Sequence, residues 1–73
     1  MELKRNQWYY TEDGKRLVIR TQAKSDGANH TFAICEIAEP SGENSERFYN
    51  KAMYVPEIKE ALGIAKKAKV VIL

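Results

Sequence analysis

The sequence has few of the residues that hold a small protein together covalently or through metals. Its 73 residues include one cysteine, Cys35, and one histidine, His30. One cysteine cannot form an intrachain disulfide, and one cysteine with one histidine cannot supply the four ligands of a structural zinc site. A chain of this length makes a single domain, residues 1–73, and buries only about 60% of the surface that its unfolded form exposes. Association with a second copy is therefore an open source of additional buried area.

Long hydrophobic runs and a strong charge are missing as well. No apolar run approaches the ~20 residues of a membrane-spanning helix, and residues 1–7 lack the apolar stretch of a signal peptide. Twelve basic and ten acidic side chains give a net charge of +2, which is too small to require a polyanionic partner. We therefore expect a cytoplasmic protein without membrane contact, in which Cys35 is a small buried residue of a reducing compartment.

The first half of the chain has the pattern of strands. Residues 7–11 are aromatic and β-prone, and residues 16–21 alternate, with Leu17 and Ile19 on one face. Asp13-Gly14 between them predicts a tight hairpin turn of type I′ with positive φ. Residues 23–29 predict a longer, mobile connection. A third, central strand is predicted from His30 to Glu39.

The second half has a helical period. Asn44 or Ser45 is expected to cap a first amphipathic helix that ends before Pro56, and Pro56 is expected to open a second helix. The apolar positions of the second helix are Ile58, Ala61, Leu62, Ala65 and Ala68. Residues 70–73 are apolar and are compatible with a last helical turn, an added strand or a tail, and we expect them to be covered.

These elements predict an α+β fold. Its form is a three-stranded antiparallel β-meander followed by two C-terminal helices that pack on one face. The predicted core consists of the following residues: Trp8, Leu17, Ile19, Ile34, Phe48, Ile58 and Leu62.

No pattern predicts a catalytic, cofactor-binding or metal-binding residue. The spacing of residues along the chain indicates neither a nucleophile nor an orienting acid for His30, which is interpreted as a surface histidine. The carboxylates fall on solvated faces, and the four glycines are isolated, so no phosphate-binding loop is present. The expectation is a protein that is not an enzyme.

Cations and aromatic residues gather near the first hairpin. A sheet face with this composition is typical of modules that stack the bases of single strands, although the aromatic residues can equally pack beneath helices while the charges protect a sheet edge. The residues predicted for nucleic-acid binding are Lys4, Arg5, Trp8, Tyr10, Lys15, Arg16 and Arg20.

Residues 7 to 63 resemble a group of small phage and prophage proteins of unknown function. The resemblance is carried by Trp8, Asp13-Gly14, Leu17-Val18-Ile19, Ala33-Ile34, Glu43-Asn44, Arg47-Phe48, Ala52, Val55-Pro56-Glu57 and Ala61-Leu62. It implies a phage-type accessory protein that acts inside a bacterial cell, and it transfers no site residue. Our first expectation is thus a non-enzymatic protein that binds a host or phage protein, with a homodimer left open. The alternative is a small nucleic-acid-binding module.

Overall fold

The computed structural model describes residues 1–22 and 31–73. The connection predicted at residues 23–29 and the predicted surface histidine, His30, lie outside this part of the chain. In chain order the elements are β1 (Glu2–Leu3), β2 (Trp8–Tyr10), β3 (Arg16–Gln22), β4 (Phe32–Pro40), β5 (Glu46–Tyr54), α1 (Val55–Ala61) and β6 (Val71–Ile72).

The largest assembly of elements in the described part of the chain is one antiparallel sheet. Its four strands have the order β2-β3-β4-β5, so β3 and β4 are central, and β2 and β5 form the edges. Strands β4 and β5 pair in an unbroken register from Phe32↔Tyr54 to Pro40↔Glu46. The pairing of β3 with β4 shifts between Ile19 and Thr21, where a β-bulge adds one residue.

The predicted pair of C-terminal helices is wrong, because the segment assigned to the first helix is strand β5. Phe48 and Ala52 are four residues apart and would share one face of a helix, but they also share a face in a strand, where every second side chain points the same way. The segment is rich in residues that suit strands, such as Phe48, Tyr49 and Tyr54. Pairing along all nine residues of β4 decides between the two periods in favour of the strand.

The predicted helix cap at Asn44 or Ser45 is instead the turn of the β4–β5 hairpin. Asn44 and Gly42 both have left-handed backbone conformations, with φ of 61° and 95°. Ser41 N–H donates to the Ser45 carbonyl at 3.0 Å, and the Ser45 hydroxyl donates back to the Ser41 carbonyl. Asn and Gly adopt this conformation at low cost, so the same residues that favour a helix start here close a hairpin.

The helix predicted after the proline is confirmed in its start and is shorter than predicted. Pro56 lies in the first turn of α1, and the Tyr54 N–H donates to the Glu57 carboxylate at 3.4 Å. Gly63, predicted inside the helix, ends it with φ of 71°, a conformation that glycine adopts readily. Ala65 and Ala68 therefore lie beyond the helix, and only Ile58 of the predicted stripe is fully buried.

The apolar tail forms a strand with the start of the chain. Strand β6 pairs in parallel with β1, with Glu2 opposite Val71 and Leu3 opposite Ile72. The expected coverage is confirmed for Val70 and Ile72, which pack against the core, while Val71 and Leu73 remain 39% and 50% exposed. A pairing across 68 residues cannot be read from local sequence periodicity.

The core lies between one face of the sheet and a layer made of α1 with the β1–β6 pair. It contains Leu3, Leu17, Ile19, Ala33, Cys35, Ile37, Met53 and Ile58. Of the predicted core residues, Leu17, Ile19 and Ile58 are confirmed as fully buried, and Leu62 packs against the core from the side. Trp8, Ile34 and Phe48 lie on the other face of the sheet, because their positions in the strands alternate with those of the core residues.

The first hairpin is confirmed with a different turn. Gly14 has φ of 84°, as predicted, whereas Asp13 is not in the left-handed region. Thr11 N–H donates to the Lys15 carbonyl at 2.9 Å, and Gly14 N–H donates to the Thr11 carbonyl at 3.2 Å. This is a three-residue loop with a left-handed glycine at its last position, in place of a two-residue type I′ turn.

The position of the core predicts how two large side chains differ in their contribution to stability. Ile58→Ala should lower the free energy of unfolding by about 2–5 kcal/mol, because it leaves a cavity beneath α1. Phe48→Ala should lower it by only about 1 kcal/mol, because the ring is 53% exposed and loses mainly one aromatic contact. Urea unfolding of both variants measures the difference. A larger loss for Phe48→Ala would contradict the assignment of the faces.

The hairpin geometry predicts that substitutions of Gly14 change stability only through the backbone conformation that the new residue must adopt. A Cβ atom at Gly14 would meet no atom within 4 Å, so any penalty comes from the positive φ. Gly14→Val should destabilise by about 1–2 kcal/mol, whereas Gly14→Asn should cost less, because asparagine tolerates the left-handed region. Thermal unfolding of the two variants tests this, and equal midpoints would refute it.

Candidate macromolecule-binding surface

One face of the four-stranded sheet is covered by α1 and the β1–β6 pair, and among the described residues no element packs on the other. We call this second face the open face. It includes Trp8, Tyr10, Arg16, Val18, Arg20, Phe32, Ile34, Glu36, Ala38, Glu46, Phe48, Asn50, Ala52 and Tyr54. The alternation of side chains along each strand places these residues together.

Trp8 and Phe48 form an aromatic bridge across the open face. They belong to the two edge strands, which stand about 14 Å apart at the usual strand spacing. Their ring centroids are nevertheless only 6.2 Å apart, with an interplanar angle of 70°. Both rings must therefore lean inward over the central strands, where Val18 and Ala38 are buried. The bridge explains why these two small residues are shielded on a face without a covering layer.

Two arginines flank the bridge. The guanidinium carbon of Arg16 lies 5.0 Å from the centroid of the Trp8 ring, and that of Arg20 lies 5.6 Å away. Cations at such distances are attracted to the negative face of an aromatic ring. The indole is thus already partly occupied by side chains of the same chain, which leaves less of its surface for a stacking ligand.

Each arginine of the open face is also paired with a carboxylate. Arg16 contacts both oxygens of Glu46 at 2.7 Å, and this hydrogen bond raises the pKa of the Arg16 guanidinium. Arg20 Nε lies 3.4 Å from the Glu36 carboxylate, and Arg20 also donates to the Asn6 amide oxygen at 3.2 Å. The two positive and two negative charges cancel, so the open face has no net attraction for a polyanion.

Three aromatic side chains of the open face remain accessible. Tyr10 is 82% exposed, Phe48 53% and Tyr54 39%. Tyr54 also contacts Phe32, with ring centroids 5.7 Å apart. Exposed aromatic residues next to arginines have the composition of binding surfaces rather than of ordinary solvated sheet faces.

The structure brings together only some of the residues predicted for nucleic-acid binding. Trp8, Tyr10, Arg16 and Arg20 share the open face. Lys15 lies on the opposite face, where its ammonium group is 3.5 Å from Asp13 and 3.4 Å from Glu39. The charge of nearby Tyr49, followed by that of Asp13, raises the pKa of Lys15.

Lys4 and Arg5 lie in the connection that leads from β1 to β2. The Lys4 N–H donates to the Tyr9 hydroxyl at 2.8 Å, and Arg5 Nε donates to the Leu73 carbonyl at 3.2 Å. These contacts hold the connection against strand β6 and the core side of the sheet. The predicted cluster of cations is thereby divided between two sides of the molecule.

The described cations that have no carboxylate partner lie outside the four-stranded sheet. Within the described residues, six of them form no ion pair: Lys4, Arg5, Lys59, Lys66, Lys67 and Lys69. They belong to the connection between β1 and β2, to α1 and to the connection between α1 and β6, and Lys59 donates to the Lys66 carbonyl at 3.4 Å.

The described residues show little that resembles a catalytic or metal site. They contain no group of three or more His, Cys, Asp or Glu that could hold a metal ion. A cleft of about 100 Å³ lies between the first hairpin and α1 and is lined in part by Lys15, Tyr49 and Lys51. This cleft is small beside ligand sites of about 300–1,000 Å³. A larger hollow of about 360 Å³ is lined by Pro56, Lys59, Glu60 and Lys66 and includes no hydroxyl or thiol nucleophile. Cys35 is fully buried as expected, and burial raises the pKa of its thiol to about 11, so it is a poor nucleophile.

Comparison with known proteins adds no relative from which a function could be transferred. Within the described residues no helix is both long and apolar enough to cross a membrane. No protein-family model, curated protein or solved structure matches this chain.

Proposed function

We propose that this chain is a non-enzymatic accessory protein that binds a partner protein through its open face. The observation that carries the proposal is the combination of exposed Tyr10 and Phe48 with arginines whose charges are cancelled on the same face. Tyrosine, tryptophan and arginine are enriched among the residues that dominate protein–protein binding energy. A face with balanced charges suits a protein of mixed charge better than a phosphate backbone.

The cellular setting of the proposal comes from the sequence. The resemblance of residues 7 to 63 to small phage and prophage proteins supports a phage-type role in a bacterial cell. The unpaired, buried Cys35 fits the reducing cytoplasm of that cell. The partner is then a host or phage protein of the same compartment.

Two variants test which surface is used. Tyr10→Thr with Phe48→Thr removes the two exposed rings and keeps strand propensity on both edge strands. Val71→Thr is the matched control, because Val71 is an exposed apolar strand residue of the β1–β6 pair, away from the open face. Each protein is immobilised and exposed to nuclease-treated bacterial lysate, and the captured proteins are quantified by mass spectrometry.

We expect the unmodified chain and Val71→Thr to capture the same partner protein from the lysate in equal amounts. The double variant should capture roughly tenfold less of this protein, as expected for the removal of anchor side chains. Capture should change little between low and high salt, because the ion pairs of the open face are satisfied internally. Equal capture by the double variant, or capture that nuclease abolishes, would overturn the proposal.

Nucleic-acid binding is the second candidate, and the shared location of Trp8, Tyr10, Arg16 and Arg20 supports it. If the internal carboxylates are what prevent phosphate binding, their removal should create an affinity. Glu36→Gln with Glu46→Gln should then bind a fluorescent single-stranded oligonucleotide more tightly than the unmodified chain, with a steep salt dependence. Glu43→Gln, an exposed glutamate in the β4–β5 turn, is the control. Tight oligonucleotide binding by the unmodified chain would favour this second candidate over the first.

A further inference from the structure

Strand β5 is a long edge of the sheet whose outer side faces away from the other strands. It runs for nine residues without a proline or a bulge, whereas the opposite edge strand, β2, has three residues. No described strand pairs with its outer side. A row of unpaired N–H and C=O groups on a regular edge is a template for a further strand, and proteins usually shorten, bend or cover such edges.

The hairpin fixes which backbone groups point outward. Val55 N–H donates to the Thr31 carbonyl at one end of β5, and Ser41 N–H donates to the Ser45 carbonyl at the other. The register between these ends is unbroken, so the odd-numbered residues of β5 make the hydrogen bonds to β4. The N–H and C=O groups of the even-numbered residues, including Phe48, Asn50 and Ala52, therefore point away from the sheet.

We propose that a second copy of this chain pairs with this edge, β5 antiparallel to β5, with Asn50 on the two-fold axis. Asn50 is the central residue of the strand and belongs to the outward-pointing set. An axis at Asn50 therefore places the nine residues of each copy opposite one another and aligns the outward-pointing N–H and C=O groups of Phe48, Asn50 and Ala52. In this register Phe48 lies opposite Ala52 of the second copy, so a large side chain meets a small one.

The charges of β5 favour this register over its neighbours. With the axis at Asn50, Lys51 lies opposite Tyr49 of the second copy and Arg47 lies opposite Met53, so no like charges oppose each other. Moving the axis to Lys51 places the two copies of Lys51 face to face. Moving it to Tyr49 places Lys51 opposite Arg47, and like charges directly opposite each other destabilise a strand pair. Moving it to Phe48 or Ala52 leaves four residues at one end of each strand without a strand partner.

The size of the chain gives the second copy a physical role. A single chain of 73 residues buries a smaller fraction of its unfolded surface than a larger domain does. Pairing along β5 would join the two four-stranded sheets into one and satisfy the outward N–H and C=O groups of Phe48, Asn50 and Ala52 in both copies. It would also place the two open faces side by side on one continuous surface. The argument for this pairing uses the register and the charges of β5, and it does not depend on the proposed binding of a partner protein.

Proline at position 50 tests the edge without breaking the sheet. Asn50→Pro removes an N–H that points outward, a place where edge strands accept proline, and leaves every hydrogen bond to β4 intact. Asn50→Thr is the matched control, because it replaces the same side chain and keeps the N–H. Sedimentation equilibrium should show dimers of the unmodified chain and of Asn50→Thr. The dissociation constant of Asn50→Pro should rise by roughly ten- to a hundredfold, since two hydrogen bonds across the axis are lost.

A cysteine pair tests the register itself. Residues in a hydrogen-bonded antiparallel pair have Cα atoms about 5.5 Å apart, within the range of a disulfide. Asn50→Cys should therefore form a covalent dimer under mild oxidation, while Glu43→Cys in the turn, far from the axis, should not. Cys35 is fully buried and should not compete. A monomeric unmodified chain at all concentrations, or equal cross-linking at position 43, would overturn the proposal. Circular dichroism of Asn50→Pro checks that the chain is folded, and if it is not, the cysteine pair decides.

Discussion

The pairing of β4 with β5 is the interaction on which the rest of the structure depends. Its unbroken register from Phe32↔Tyr54 to Pro40↔Glu46 determines which side chains of both strands face the core. Cys35, Ile37 and Met53 then lie beneath α1, and Phe48 and Asn50 lie on the open face. A slip of one residue would exchange the two sets, bury Asn50 and expose Met53, so the hydrophobic pattern specifies the register.

The sequence allowed a correct prediction where local chemistry was decisive. Asp13-Gly14 marks a hairpin in nearly any context, and Pro56 opens a helix because its missing N–H has no partner to lose there. The strands β2, β3 and β4 followed from aromatic and β-branched residues with alternation. Strand β5 did not, since Phe48, Ala52 and Val55 satisfy a helical repeat. Asn44 and Ser45 fit a helix cap as well as they fit a turn, and only contacts with β4 separate these alternatives.

The binding surface was predictable in part for a related reason. Alternation along β2 and β3 places Trp8, Tyr10 and Arg16 on one face once both strands are known. Their carboxylate partners, Glu36 and Glu46, come from β4 and β5, so the neutral character of the face depends on a register that no local pattern contains. The sequence therefore suggested a cationic aromatic face, whereas the folded chain has an aromatic face with balanced charges, and the described cations without a carboxylate partner lie outside the four-stranded sheet.

The open face and the outer edge of β5 share the same residues, and this has a consequence for binding. In a strand, the residues whose side chains point to one face are alternate residues, and so are those whose backbone groups point to one edge. In β5 the two sets coincide, so Phe48, Asn50 and Ala52 present side chains to the open face and backbone groups to the edge. A second strand at this edge would hold Phe48 between Trp8 of its own sheet and Ala52 of the second copy. Dimer formation would thereby order an exposed ring before any partner protein arrives, which lowers the entropic cost of binding at that ring.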